Sequence, residues 1–288
     1  MSKCLICDNN FNPFVDFGNM PIANAFSLKE ELFNEYTFAM KVGFCEKCNM
    51  VQLVEQPNRE KMFHENYAFF SSTSNYMISH FNDFASSVIS LQNLNESSFV
   101  VEVGCNDGIM LQSFLSNKIP CLGIEPSQNV ANVAMEKGID VVTEFFDQPL
   151  AQHISKMYQK ADAILSANVM CHIPYIHSIY DGVKTLLKDD GVFIFEDPYL
   201  GEIIEKTSFD QIYDEHVFLF SALSISYLAN AHNLELVNVE PQITHGGSMR
   251  YTIAHKGLKK VSKNVNRLIE KEKAIGLDKK LAYMSFTK

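Results

Sequence analysis

The class of this protein turns on FVVEVGCNDG, residues 99–108. Phe99, Val100, Val101 and Val103 make a short apolar run of β-forming residues that meets a turn holding Gly104 and Gly108. A helical pattern follows at once in Ile109, Met110, Leu111, Phe114 and Leu115. A buried strand that feeds a Gly-rich turn and then a helix is the opening of a βαβ unit.

The pattern repeats downstream. CLGIEPS (121–127) reads as a second strand ending in an acid, and QNVANVAMEK (128–137) as a helix closed by Gly138. IDVVTEFF (139–146) and ADAILSANVM (161–170) read as the third and fourth strands. IHSIYDGVKTLLKDDG (176–191) is an amphipathic helix with a Gly stop, and VFIFEDP (192–198) is a fifth strand. Strands alternating with helices predict an α/β fold with a doubly wound, largely parallel sheet. In such sheets ligands bind beyond the carboxyl ends of the strands. Glu125 ends the second strand about 20 residues after the Gly-rich turn, where a carboxylate can accept two ribose hydroxyls. The spacing serves two cofactor classes. A dinucleotide site expects GxGxxG, with a pyrophosphate on the helix N-terminus. Here the turn is ExGxNDG, with Glu102 before the first glycine and Asn106 in place of the second. It resembles motif I of the class I S-adenosylmethionine (SAM) methyltransferases, usually D/ExGxGxG, whose sulfonium cofactor has no phosphate and favours a nearby acid.

Four of the seven cysteines form two pairs, CLIC (Cys4, Cys7) and CEKC (Cys45, Cys48). Two CxxC turns can each aim two thiolates at one centre, and the tetrahedral S4 shell they complete suits Zn2+. No water position stays open in that shell, so the metal is expected to be structural, its binding energy helping a small segment to fold. Cys105, Cys121 and Cys171 have no partner at ligand spacing and read as buried structural cysteines.

With 288 residues, 47% apolar and 20% charged, the chain can build a sizeable core and more than one domain. No apolar run approaches the roughly 20 residues of a membrane span, and MSKCLICDNN lacks a signal pattern, so a cytoplasmic location and no membrane partner are expected. The net charge of −10 speaks against nucleic acid, although residues 256–288 carry +7 and read as an exposed basic linker helix.

Further stretches narrow the class. After the two cysteine pairs come ENYAFFSS (65–72), VEVGCNDG (101–108), SANVMCHIP (166–174), YDEHVFLFS (213–221) and THGGSMR (244–250). This set, in this order, resembles the zinc-containing sugar C-methyltransferases, which methylate C-3 of nucleotide-linked 4-keto-deoxysugars. The resemblance implies a sugar pocket lined by Tyr213, Glu215, His216, His172 and Tyr67. His216 would be the base for the proton α to the ketone, with Tyr213 and His172 as enolate stabilisers or relay. Glu215 would tune His216 or contact the nucleotide-sugar, and the apolar run Val217–Phe220 would anchor the strip. For SAM it implies Glu102, Gly104, Asn106 and Gly108 at the methionine end, Glu125 at the ribose, and Phe146 and Asn168 beside the adenine. The Gly246-Gly247 loop with Arg250 would lie near the substrate.

The expected organisation is a zinc-binding domain over 1–65, a SAM-dependent methyltransferase domain over 66–255, and a basic linker helix over 256–288. The family usually continues into a further α/β domain, which this sequence, ending at Lys288, would lack. The expected form is a monomer. Two other functions share much of this pattern: an N- or O-methyltransferase of a small metabolite, and a catalytically silent SAM- or sugar-binding partner subunit.

Overall fold

The structure, a computed structural model, describes residues 2–24, 28–30, 32–57, 62 and 67–287. Glu65 and Asn66 of the ENYAFFSS segment, and with them the expected boundary at residue 65, lie outside the described residues. The chain forms two compact units that are not linear blocks. One gathers Met1–Met62, Met170–His177 and Glu196–Lys288, the other Phe63–Val169 and Ser178–Phe195.

The first unit begins with β1 (Ser2–Lys3) and β2 (Asn10–Phe11), an antiparallel pair that carries the first cysteines, followed by β3 (Pro13–Pro21), β4 (Thr37–Cys45) and β5 (Met50–Leu53). β4 and β5 form a tight hairpin, Val42 opposite Leu53 and Cys45 opposite Met50, so CEKC is the hairpin turn itself. Asn49 closes that turn at φ 59°, in the left-handed region that Asn tolerates.

The second unit is the α/β part. It comprises α1 (Asn75–Leu91), β6 (Val100–Val103), α2 (Leu111–Ser116), β7 (Cys121–Ile124), α3 (Gln128–Glu136), β8 (Asp140–Val142), α4 (Gln148–Met157) and β9 (Ala161–Ala167). β9, β6, β7 and β8 lie side by side in that order, and each neighbouring pair is parallel. The third strand ends at Val142, four residues short of expectation. Asp147 then caps α4, accepting from Leu150 N at 2.8 Å. α1, which the sequence reading did not claim, buries Phe81, Phe84, Ala85 and Val88 in this unit's core beside Val100, Phe114 and Leu165. α5 (Ile176–Leu186) leads into β10 (Leu187–Pro198), which neighbours β9 and whose last three residues belong to the first unit.

Returning to the first unit, the chain forms α6 (Leu200–Lys206), β11 (Phe218–Leu219), α7 (Ala222–Ala231), β12 (Leu234–Gln242), β13 (Ser248–His255), α8 (Lys263–Ala274) and α9 (Lys280–Phe286). β12 and β13 are an antiparallel ribbon. β11 adds to the sheet of the cysteine hairpin in the order β11-β5-β4-β3, Phe218 opposite Gln52 and Leu219 opposite Val51. The apolar run after His216 therefore does anchor its strip, as a fourth strand whose Leu219 enters the core of Phe38, Val42, Val51 and Leu53. None of the helices among the described residues is long and apolar enough to cross a membrane.

Candidate active site and metal centre

In the second unit the Gly-rich turn leaves β6 at its carboxyl end. Gly104 has φ 71°, and a side chain there would overlap Val169, so both backbone conformation and space require glycine. Asn106 follows at φ 50°. Glu125 holds the turn from β7: one carboxylate oxygen accepts Asn106 N at 3.0 Å, the other Ser127 N at 2.8 Å. The YAFFSS segment closes over the same turn. Asn106 accepts from Ser71 N at 3.0 Å and donates to the Phe69 carbonyl at 3.0 Å, while Asp107 accepts from both Ser72 N and Ser72 Oγ. Tyr67 is fixed by its carbonyl, which accepts from Asn129 Nδ2 at 2.8 Å.

Among the buried oxygens of this unit without a hydrogen-bond partner among the described residues are Glu102 Oε2, Asp107 Oδ1 and Asn168 Oδ1. Burial, then the charges of Glu125 and Asp107, push the Glu102 carboxyl well above its usual range. Burial raises Glu125 too, against the pull of its backbone donors. Acids in this state gain from a cation or a set of donors, and SAM offers a sulfonium, an amino group and ribose hydroxyls. The residues fit the cofactor. Asn168 follows β9 at φ 56°, whereas Phe146 is 2% exposed with its ring against Gly182.

In the first unit the four paired cysteines converge, all Sγ atoms within 4.8 Å of one another. Cys4–Cys48 and Cys7–Cys45 stand at 3.5 Å, close to the roughly 3.8 Å edge that four Zn–S bonds of about 2.3 Å imply. Gln52 of β5 supports the first knuckle, its Oε1 accepting Leu5 N at 3.1 Å and Cys4 Sγ at 3.3 Å. Hydrogen bonds, first that from Cys48, pull the Cys4 thiol down to about 5, while burial pushes Cys7 up to about 11. The donor set fits Zn2+, which these four residues would hold.

The same unit gathers the other titratable group. His216 is 5% exposed, and its Nδ1 lies 2.7 Å from the Gln211 carbonyl. A carbonyl only accepts, so Nδ1 carries the proton and Nε2 keeps its lone pair. Tyr213 packs on the His216 ring at 4.3 Å between centroids, and His172 stacks against it at 5.4 Å with the rings 22° apart. Glu215 accepts from Asn24 Nδ2 at 2.7 Å, and Asp214 from Ala23 N at 3.1 Å, so the segment before residue 25 buttresses the acids. Burial pushes the His216 imidazole down to about 4 and His172 well below the ordinary histidine value. Desolvation outweighs the hydrogen bond that His216 Nδ1 donates to the Gln211 carbonyl. Tyr67 belongs to the second unit.

Sequence reasoning named two members of the first unit's polar interior but missed their partners. Cys171 comes within 4.8 Å of the ring nitrogens of His172 and His216, although it lies 45 residues from the latter and no spacing rule links them. Arg250 pairs with Glu196 through Nε at 3.2 Å and Nη2 at 2.9 Å, and Thr244 Oγ1 donates to the same carboxylate at 2.8 Å. That pair fixes the base of the Gly246-Gly247 loop.

Comparison with known proteins agrees with both units. A family described as a methyltransferase domain matches residues 73–239, more than half of the chain. A zinc binding domain matches residues 4–63, and a C-methyltransferase C-terminal domain matches 243–288. The chain is 29% identical over 251 residues to the C-methyltransferase NovU of Streptomyces niveus, a match that takes in 86% of this chain and 60% of that protein. Among solved structures, the PH0226 protein of Pyrococcus horikoshii OT3 superposes with a TM-score of 0.52 at 13% identity, covering 65% of this chain and 95% of its own. Magnesium protoporphyrin IX methyltransferase of Synechocystis PCC 6803, solved with SAH, gives 0.49 at 13% identity, covering 62% of this chain and 83% of its own. With its α/β unit and its Gly-rich turn the chain belongs to the SAM-dependent methyltransferases, and its flanking segments are similar to the zinc binding domain and the C-terminal domain of C-methyltransferases.

Proposed function

We propose that the protein methylates C-3 of a nucleotide-linked 4-keto-deoxysugar. The observation that carries the reading is the hydrogen bond from His216 Nδ1 to the Gln211 carbonyl, which leaves Nε2 as a buried, unprotonated base. The proton on C-3 is acidic because it lies α to the C-4 ketone, and His216 Nε2 takes it. The electron pair moves onto the ketone oxygen as an enolate, where Tyr213 and His172 are suited to donate. SAM, held by Glu102, Gly104, Asn106, Gly108 and Glu125, with Phe146 and Asn168 at the adenine, supplies when bound the methyl group that C-3 takes up. Glu215 stays fixed by Asn24 and tunes the pocket's charge, and Tyr67 contributes to binding the sugar. An N- or O-methyltransferase would not need a carbon-acid base, so the buried neutral imidazole favours carbon.

Exchange of the C-3 proton in deuterated buffer isolates the first step. His216→Asn should slow exchange and turnover by about 10² to 10⁴. Exchange at the wild-type rate in that variant would pass the role to Tyr213 or His172. If the full-length wild-type protein exchanged no 4-keto-sugar, the carbon-methylation reading would fail.

A further inference from the structure

The first unit holds a second convergence of soft and borderline ligands besides its four paired cysteines. Cys171 Sγ and one ring nitrogen each of His172 and His216 lie within 4.8 Å of one another, and all three residues are buried. Two imidazoles and one thiolate are the donor types of a zinc-class site, and three protein ligands leave the fourth position of a tetrahedron open. The surroundings are those of a ligand set. The Gln211 carbonyl fixes the His216 tautomer from behind, the outer-shell arrangement usual for a metal-bound histidine. Asp197 steadies the Cys171 backbone, accepting its N–H at 3.2 Å.

We infer that Cys171, His172 and His216 form a second, open binding site for a borderline divalent transition-metal ion, distinct from the Cys4 centre, and that its occupancy silences His216 as a base. Closing the site needs the donors to draw in from their present spread to the few ångströms that a tetrahedral ion sets. Burial keeps both imidazoles neutral, the protonation state in which a histidine binds a metal, while the Cys171 thiol, raised by burial and by Asp197, releases its proton to solvent on binding. The metal then sits on the lone pair that would otherwise accept the substrate proton. The existence of the site does not depend on the proposed reaction; the silencing rests on it, and the two are separable.

Co2+ is a direct probe. It binds N/S sites more weakly than Zn2+, so protein already loaded with zinc keeps its Cys4 centre while Co2+ fills a weaker open site. Zinc-loaded protein titrated with Co2+ should develop thiolate-to-cobalt charge-transfer and d–d absorption, with one cobalt retained beside one zinc on equilibrium dialysis. In Cys171→Ser the charge-transfer band should vanish. Its cobalt affinity should fall by at least the roughly 10- to 100-fold that loss of an outer-shell partner costs. Cys171→Ala, checked by its circular dichroism melt, should behave the same if serine disturbs folding. Absence of cobalt absorption in the zinc-loaded wild type, or an undiminished band in both Cys171 variants, overturns the site. If the site fills but C-3 proton exchange continues unslowed, the silencing is overturned and the metal site stands. If exchange slows in the wild type and is spared in Cys171→Ser at the same cobalt concentration, both halves hold.

Discussion

His216 is worth most attention at the residue scale because its environment fixes both reactivity and stability. Its folded value near 4 lies below the ordinary 6.5, so between these the unfolded chain binds a proton that the folded chain refuses. Stability therefore rises with pH through the window from about 4 to 6.5 and is lost as pH falls through it. Between pH 6.5 and 4.5 the histidine's share is about 2 kcal/mol. His172, depressed by burial, acts in the same direction. The acids of the strip, Asp214 and Glu215, are raised by burial and act oppositely, so the difference between proteins is the clean quantity. Urea unfolding at the two pH values should show the wild type losing about 2 kcal/mol more than His216→Asn, and an equal loss in both would contradict the buried neutral imidazole. The acid limb of turnover should correspondingly appear near pH 4.

Among the elements, the turn after β6 shows what sequence makes legible. ExGxNDG and an acid about 20 residues on predicted a strand, a Gly-rich turn and Glu125 at the next strand end, and all are present because backbone sterics and strand length are local properties. What spacing could not show is that Glu125 supports the turn itself. A carboxylate has only acceptors and satisfies both Asn106 N and Ser127 N. Glu125→Gln keeps the shape but turns an amide NH2 toward one of these N–H groups. It should destabilise the protein without cofactor by about 1–3 kcal/mol, besides weakening SAM. Equal melting of variant and wild type without SAM would reduce Glu125 to a cofactor contact alone. The YAFFSS segment is a similar case: its motif was readable, but the bonds from Ser71 and Ser72 to Asn106 and Asp107 depend on tertiary proximity.

For the whole molecule, linear reading met its limit in the division of the chain. Periodicity finds strands and helices, but it does not reveal that residues 196–288 pack with residues 1–62 while residues 63–169 form their own unit. One link is the short strand β11, whose two residues carry no pattern of their own. Through it the Cys4 centre connects to the strip that carries His216. Cys4 bonds to Gln52, Gln52 lies opposite Phe218, and Leu53 N donates to the Val217 carbonyl at 2.8 Å, one residue from His216. A structural Zn2+ site contributes apparent binding energies of about 10–16 kcal/mol in small domains, as much as the whole stability of a typical fold. Chelating the metal should therefore do more than loosen the knuckles. Hydrogen exchange on chelated protein should show β4, β5 and residues 213–220 losing protection together, and zinc should restore them together. C-3 proton exchange should be lost in step, because the Gln211 carbonyl and His216 would no longer be held in register. Loss of protection confined to residues 2–53, with the strip at 213–220 still protected, would mean that β11 is held by the apolar core around Leu219 and that zinc serves only its own knuckles.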